Sequence, residues 1–299
     1  MMKRLVWILQ VVVFFLFAIP LAITPIRFSL RVGEILGLIV YRIWRSRRRI
    51  AIKNIKECIS NGGLKIDSGY EDIIKASFKN MGRNFVEVVK IFFGFSKKII
   101  DGVELLGEEY FKEAKSKGKG ILFITGHCGD WELMAIVFSI RVEPISVIAR
   151  PLDNPYMNSI LERVRRRFGN RVIYKRGALR DIINSLRRNE AVGILMDQSV
   201  VSDEGYVLEF LGEGAWTTKM PALIARKTGA SVLPVFINRI NGYRHVIKIY
   251  PEITLSDNQD RELAIKEDTR VFSRYIEDYV RQNPSEWLWI HRRWKRVKV

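Results

Sequence analysis

Cysteine and histidine are scarce in this sequence. Its 299 residues include only two cysteines, Cys58 and Cys128, and three histidines. The cysteines lie far apart and form no C-x-x-C pair, which excludes a disulfide framework and a zinc site built from cysteines. We interpret both as free thiols in a reducing cytoplasm.

Acidic residues are also few, with 32 Asp and Glu against 50 Lys and Arg and a net charge of +18. Such an excess predicts attraction to phosphate-bearing or acidic partners, namely nucleic acid, anionic lipid or an acidic carrier protein. A nucleic-acid-binding protein fits the charge, but RRM, zinc-finger and Walker signatures are missing and the N-terminal region is apolar. We therefore expect no nucleic-acid partner.

A long apolar run lies near the start of the chain. Residues 5–23 are apolar except for Gln10, and a helix of that length reaches about 28 Å, close to the hydrocarbon thickness of a bilayer. Pro20 and Pro25 would kink or end the helix, and residues 35–44 form a second, shorter apolar run. The segment therefore either spans a membrane or lies in its interface.

Basic residues are more numerous after this run than before it, which predicts that the body of the protein lies on the cytoplasmic side. The cluster Arg45, Arg47, Arg48 and Arg49 is suited to an anionic membrane surface. A secretory signal is the alternative, but no small-x-small cleavage site follows.

The remaining chain divides into a helical part and an α/β part. We predict a membrane-anchoring segment over residues 1–44, a helical region over 45–100 with an amphipathic helix within 71–93, and an α/β domain over 101–299 that ends in a helix and a basic tail. Strands are predicted at 120–125, 145–149, 172–174, 192–196, 232–237 and 246–250. Helices are predicted at 131–140, 155–168, 178–188, 218–228 and 271–281. This alternation predicts a largely parallel central sheet flanked by helices.

Polar side chains follow four of the predicted strands. They are His127, Arg150, Arg176 and the pair Asp197-Gln198. Ligands of open α/β sheets bind beyond the carboxyl ends of the strands, so we expect these side chains to meet at one rim.

His127 and Glu132 have an H-x4-E spacing within Gly126-His127-Cys128-Gly129-Asp130-Trp131-Glu132. With Glu132 in the first turn of the following helix, its carboxylate is expected to fold back and fix the tautomer of the ring. An imidazole held in this way can act as a general base on a hydroxyl. A helix-capping histidine would show the same spacing, but the position between a strand and glycines favours the catalytic interpretation.

Other chemistry is less well supported. Cys128 next to His127 invites a Cys-His nucleophile, but adjacent side chains point in different directions and no third group is evident. A metal site from His127, Asp130 and Glu132 lacks a second nearby histidine, so we expect no metal.

Several further side chains are candidates for binding rather than catalysis. Arg150 and Arg176 are suited to bidentate phosphate contacts, with surface ion pairs as the alternative. Thr217 and Thr218 could cap a helix near Lys219 and create an anion site, although capping alone explains them.

These motifs resemble the lipid A biosynthesis acyltransferases, the lauroyl and myristoyl transferases within the H-x4-D/E acyltransferase superfamily. The 126–132 segment is similar to the family's G-H-x-G-N-W-E motif, with Asp130 where Asn is usual. Further blocks occur in family order: Arg47-Arg48-Arg49, Met81-Gly82-Arg83, Ala149-Arg150-Pro151-Leu152, Asp197-Gln198, Phe210-Leu211-Gly212, Leu233-Pro234-Val235 and the segment 283–295, which resembles P-E-x-W-x-W-x-H-R-R-x-K.

The resemblance implies transfer of a fatty acyl chain from acyl carrier protein to a phosphorylated glucosamine disaccharide lipid at the cytoplasmic face of the inner membrane. It implies no cofactor beyond the acyl thioester, with His127 as base, Glu132 as its partner, and Arg150, Arg176, Asp197 and Gln198 as substrate contacts. Asp130, Thr217 and Thr218 would support them.

Two alternatives stay open at this point. The same machinery could acylate another membrane lipid, such as a phosphatidylinositol mannoside or a glycerolipid. A catalytically inactive membrane scaffold is the other, although the presence of both His127 and Glu132 argues against it.

Overall fold

The computed structural model describes residues 2–174, 177–295 and 297. The first part of the chain is helical. It forms α1 (Met2–Ile23), α2 (Ile26–Ile43), α3 (Arg45–Ser60), α4 (Tyr70–Phe93) and α5 (Lys97–Asp101). Helix α1 continues through Pro20 and ends before Pro25, which occupies the N-cap of α2, where its missing N–H is not needed.

The rest of the described chain alternates between strands and helices. The strands are β1 (Val103–Leu106), β2 (Ile121–Thr125), β3 (Ile145–Ala149), β4 (Arg171–Tyr174), β5 (Ala191–Leu195), β6 (Gly205–Phe210), β7 (Glu213–Thr218), β8 (Ser231–Asn241) and β9 (Arg244–Ile249). The helices are α6 (Glu108–Ser116), α7 (Trp131–Arg141), α8 (Pro155–Arg166), α9 (Ala178–Arg187), α10 (Met220–Thr228) and α11 (Arg261–Gln282).

A single mostly parallel sheet organises these elements, as the sequence predicts. Its strand order is β1-β9-β8-β2-β5-β3-β4, and only β8 and β9 pair antiparallel within it. Every predicted strand and helix lies at or near its predicted position. We did not predict β1 or the separate antiparallel hairpin of β6 and β7, because buried and exposed residues alternate in these strands and form no continuous apolar run.

Helices α2 and α4 pack unusually closely. Gly33 and Gly37 of α2 face Gly82 and Phe78 of α4, and a Cβ on Gly82 would lie 1.9 Å from the carbonyl oxygen of Gly33. Only glycine permits this approach of two backbones. Helix α3 contributes Ala51 and Ile55 to the buried core that also contains β2 and β5 side chains, so hydrophobic packing crosses residue 100.

Helix α1 is attached to the body along much of its length. Its one polar interior residue, Gln10, accepts a hydrogen bond from Asn154 Nδ2 (2.8 Å), which also donates to the carbonyl of Trp7 (3.0 Å). The ammonium group of Lys90 on α4 donates to the carbonyls of Ala22 (3.0 Å) and Thr24 (2.6 Å). These hydrogen bonds satisfy carbonyl groups at the C-terminal end of α1. Burial lowers the pKa of Lys90.

The outer face of α1 is apolar and exposed, including Leu9, Leu16, Phe17 and Ile23. Its segment Lys3–Ile23 is long and apolar enough to cross a membrane, which agrees with the predicted anchor. Because the other side of α1 packs on α4 and α8, helix α1 and the α/β body form one unit.

Candidate active site

The pairing of two central strands brings His127 and Asp197 together. Strands β2 and β5 are parallel neighbours, and Thr125 pairs with Leu195 at their carboxyl ends. His127 and Asp197 each follow two residues later, so they lie opposite one another at the rim. The amide of Met196 donates to the carbonyl of Thr125 (3.0 Å) and extends the ladder to this point.

Asp197 is held by three hydrogen bonds. Its Oδ1 accepts from His127 Nδ1 (2.7 Å), and its Oδ2 accepts from the His127 backbone amide (2.9 Å) and from Trp287 Nε1 (2.9 Å). Burial alone would raise the pKa of this carboxyl, but the His127 ring and these donors outweigh burial and hold the pKa of Asp197 well below its usual range. The carboxylate is therefore ionised and fixed in position.

The surrounding hydrogen bonds select one tautomer of His127. With Nδ1–H donating to Asp197, Nε2 carries the lone pair, and the amide nitrogen of Gln198 lies 3.1 Å from it and 3.3 Å from His291 Nε2. The His127 side chain remains 19% exposed, so a hydroxyl can reach Nε2 from solvent. This is the arrangement of a general base with an orienting carboxylate.

Glu132 does not make the predicted contact with the ring. Its carboxylate forms a bidentate ion pair with Arg165 of α8, with Nε donating over 2.9 Å, and both side chains are 15% exposed. The prediction of Glu132 as the ring partner is therefore corrected to Asp197. Glu132 pairs with Arg165 because α8 packs beside α7. The spacing of residues along the sequence does not show that these two helices are neighbours.

The loop that carries His127 is held by its backbone. Gly129 has φ of +58°, and a Cβ there would lie 2.0 Å from the carbonyl oxygen of Ile237. Its amide donates to the carbonyl of Glu286 (2.9 Å), and its carbonyl accepts from Asn84 Nδ2 (2.7 Å). Because this amide is engaged, it is not available as an oxyanion donor.

Cys128 is buried and next to the base. Burial and the nearby Asp197 raise the pKa of its thiol well above the usual value, which disfavours the nucleophilic thiolate. This agrees with the expectation that Cys128 is not the nucleophile of a Cys-His pair.

Asp130 points away from the ring and into a buried charge cluster. Its Oδ1 caps α7 by accepting from the amide of Leu133 (3.0 Å). Glu87 lies beside it and is paired with Arg239 (2.6 Å). Burial and the Glu87 charge raise the pKa of Asp130 well above its usual value, which favours its neutral form.

The remaining predicted site residues are scattered. Arg150 follows β3 but is 82% exposed and lies 3.6 Å from Asp153. Arg176 lies outside the described residues. Thr217 is buried and accepts from Arg293 Nη2 (2.6 Å), while Thr218 accepts from the amide of Met220 at the start of α10 (3.3 Å).

The sequence did not place the C-terminal segment in the site. Trp287 donates to Asp197, the amide of Leu288 donates to the carbonyl of His127 (3.2 Å), and the His291 ring centroid lies 5.0 Å from that of His127. Burial, with the neighbouring His127, lowers the pKa of His291 to about 4. The only available signal was the dense tryptophan and histidine pattern of the segment, which does not reveal its location.

A small apolar cavity of about 40 Å³ lies on the α7 side of the sheet, lined in part by Trp131, Met134, Phe138, Gly193 and Leu195. Trp131 also contacts the His127 ring edge to face, with centroids 5.0 Å apart. The cavity therefore begins next to His127. No cluster of three or more metal-ligating side chains occurs in the part of the chain that the structure describes.

Comparisons with known proteins match this chain to acyltransferases. A profile of the family described as bacterial lipid A biosynthesis acyltransferase matches residues 2–296. The palmitoleoyltransferase of lipid A biosynthesis from Escherichia coli is 26% identical over 267 residues, which cover 88% of this chain and 83% of that protein. A phosphatidylinositol mannoside acyltransferase of Mycolicibacterium smegmatis is 21% identical over 228 residues, covering 75% and 73%.

Among solved structures, the 1-acyl-sn-glycerophosphate acyltransferase of Thermotoga maritima is 14% identical with a TM-score of 0.40. The match covers 88% of this chain and 98% of that one.

Proposed function

The chain belongs to the bacterial lipid A biosynthesis acyltransferases, and we propose that it moves a fatty acyl chain from acyl carrier protein to a hydroxyl of a phosphorylated lipid A precursor. Family membership supports an enzyme that acylates lipid A. The observation that carries the finer proposal is the His127–Asp197 pair, in which a buried carboxylate accepts from Nδ1 and leaves Nε2 as the basic nitrogen of a partly exposed ring.

The proposed reaction needs no covalent enzyme intermediate. His127 Nε2 takes the proton of the acceptor hydroxyl as its oxygen attacks the thioester carbonyl, and Asp197 stabilises the imidazolium that forms. Collapse of the tetrahedral intermediate breaks the C–S bond, and the imidazolium returns the proton to the leaving thiolate. The products are an ester and the free thiol of the carrier, so no cofactor is required.

Two features of the protein suit the acyl donor: its positive charge and its apolar cavity. The net charge of +18 favours encounter with an acidic carrier protein. The apolar cavity next to Trp131 would take the first part of the acyl chain, with movement of flexible side chains such as Met134 allowing it to extend.

We propose that basic side chains at the carboxyl ends of the strands bind the acceptor. Among the described residues, exposed Arg150 has one ion-pair partner, the solvent-exposed Asp153 at 3.6 Å, and it can turn toward an acceptor phosphate. Arg176 is proposed for the same role on sequence grounds. Gln198 would exchange its contact with His127 Nε2 for one with the acceptor hydroxyl.

We place the enzyme on the cytoplasmic face of the inner membrane. Helix α1 supplies the apolar anchor, and the arginines that follow it favour the cytoplasmic side. An acyl carrier protein donor is consistent with that side.

A second acceptor class is kept because one relative is named for it. The similarity to a phosphatidylinositol mannoside acyltransferase spans three quarters of the chain. The same base would serve a mannose hydroxyl, so the two acceptors differ in binding and not in chemistry.

The decisive experiment incubates purified full-length protein in detergent with acyl carrier protein charged with several chain lengths. One arm contains a tetra-acylated, sugar-bearing lipid A precursor and the other a phosphatidylinositol mannoside, with products weighed by mass spectrometry. A gain of one acyl group on the precursor, lost in His127→Ala and kept in the surface control Arg270→Ala, is expected. A gain only on the mannoside would select the second acceptor, and equal activity of His127→Ala would refute the base.

A further inference from the structure

A basic pocket of about 600 Å³ lies away from the catalytic histidine, between α2, α4 and the turn that joins β8 to β9. Its charged lining consists of Arg27, Arg31, Glu34, Arg83 and Arg244. Neither His127 nor Asp197 lines this pocket, and the proposed transfer reaction does not use it.

The charges of the pocket are not balanced. Glu34 is paired with Arg83, whose Nη2 lies 2.7 Å from the carboxylate and whose Nη1 donates to Asn80 (2.8 Å). Among the described residues, Arg27, Arg31 and Arg244 make no ion pair or side-chain hydrogen bond with the protein. Three guanidinium groups thus face one cavity whose one lining carboxylate, Glu34, is already paired with Arg83, and each of the three carries unused donors in a geometry that matches phosphate oxygens.

Hydrogen bonds outside the pocket hold the backbone segments that carry its arginines. Arg239 donates to the carbonyl of Gly242 in the β8–β9 turn (2.8 Å), and it is itself held by buried Glu87 (2.6 Å). At the start of α2, the hydroxyl of Ser29 donates to the carbonyl of Leu21 (3.0 Å) and ties α2 to the end of α1. The three arginines therefore project from anchored backbone, so little backbone ordering is needed when an anion binds.

The pocket opens beside surfaces suited to hydrocarbon. Arg27 and Arg31 lie within the first two turns of α2, directly after the apolar helix α1. Phe28 and Ile35 on α2 are each 57% exposed, and Ile23 at the end of α1 is 68% exposed. An anion held by the arginines can thus have its acyl chains against α1 and α2, as basic residues next to an apolar anchor do at a membrane surface.

We propose that this pocket binds the phosphate of a membrane-lipid head group, with Arg27, Arg31 and Arg244 as its ligands and the lipid chains lying along α1 and α2. Such a lipid would fix how the body sits on the bilayer. The proposal does not rest on acyl transfer, because binding is measured without a donor thioester.

The test compares two lipids that differ only in the head group. Full-length protein in a non-ionic detergent is titrated with dioctanoyl phosphatidylglycerol and with dioctanoylglycerol, which has the same chains and no phosphate, and binding is followed by calorimetry. Further arms add inorganic phosphate, or a phosphorylated glucosamine disaccharide lipid, as competitor.

The variant is Arg27→Gln/Arg31→Gln/Arg244→Gln, and the control is Arg261→Gln/Arg270→Gln/Arg274→Gln on the exposed face of α11, which removes the same charge elsewhere. We expect the wild type and the control to bind the phosphatidylglycerol at least about tenfold more tightly than the diacylglycerol, with the pocket variant losing that preference. Should the triple variant fold poorly, Arg244→Gln alone, at the exposed start of β9, is expected to weaken phosphatidylglycerol binding about threefold or more.

Competition by the phosphorylated disaccharide lipid, absent in the pocket variant, would also support the site and identify its ligand as the acceptor. Equal binding of both lipids, or an unchanged preference in the pocket variant, would overturn the proposal. Arginine-dependent binding of inorganic phosphate without binding of either phosphate-bearing lipid would equally overturn it in favour of a free-phosphate site.

Discussion

Replacing Asp197 with asparagine should reduce kcat by about 10- to 10⁴-fold while leaving the fold intact. The carboxylate accepts a 2.7 Å hydrogen bond from His127 Nδ1, and a hydrogen bond to a charged group contributes about 1.5–3 kcal/mol, or about 10- to 150-fold in rate. An asparagine amide can also donate to Nδ1, which moves the ring proton to Nε2 and removes the base. This second effect extends the expected loss to the upper value.

The assay is acyl transfer from loaded carrier protein to the tetra-acylated precursor, with kcat and KM measured separately and folding checked by circular dichroism. Asp203→Asn, on an exposed turn, is the matched control and should leave both constants unchanged. The loss in Asp197→Asn should fall on kcat, because Asp197 is fully buried and contacts the ring, not the solvent.

A second pair of variants separates Asp197 from Glu132. Glu132→Gln and Arg165→Gln break the same ion pair, so the structure predicts similar effects of each and a double variant hardly worse than either single one. If Glu132→Gln lowers kcat as much as Asp197→Asn while Arg165→Gln has little effect, Glu132 acts on the ring and the assignment of Asp197 is refuted.

Three other predictions concern stability and chain length. Gly129→Ala should lower the free energy of unfolding by at least about 2 kcal/mol in denaturant titrations, because its Cβ would lie 2.0 Å from the Ile237 carbonyl oxygen. The control Gly118→Ala, at a residue with φ of +71° and open space around it, should lower it by only about 1 kcal/mol. Equal losses of stability in the two variants would contradict the packing argument. Gly193→Val, which fills part of the apolar cavity, should shift the donor preference toward shorter acyl chains in a competition assay; an unchanged product ratio would exclude the cavity as the chain site. Burial lowers the pKa of His245 to about 4, so between pH 6.5 and pH 4 the unfolded chain takes up this proton and the folded chain does not. The stabilisation by neutral His245, at most about 3 kcal/mol, is therefore complete above pH 6.5 and is lost as the pH falls toward 4. In His245→Asn the free energy of unfolding should depend less on pH in that window than in the wild type.

A buried cluster around Glu87 lies behind the loop that carries His127. Asp130 caps α7, and Arg239 on β8 pairs with Glu87 and also donates to Asn84 (3.0 Å), which holds the carbonyl of Gly129. The catalytic loop is thus supported by α4 and β8 together.

Much of the architecture was readable from local patterns. Apolar runs such as 120–125 and 192–196 became β2 and β5, and the 3.6-residue periodicity around Phe78 became α4. These features depend on which face of a short segment is buried, and neighbouring residues carry that information. The loop with His127 was equally visible, since a strand end and two glycines lie within a few positions.

The sequence by itself determined the parallel sheet, the apolar anchor and His127 at a strand end. Tertiary structure alone decided which carboxylate serves the ring: the register of β2 against β5 brings Asp197 opposite His127, whereas the packing of α8 on α7 gives Glu132 to Arg165. It also brought Trp287 and His291 to the site from the far end of the chain. The physical reason is that these contacts are set by strand pairing and helix packing between distant segments, and spacing along the chain carries no measure of either.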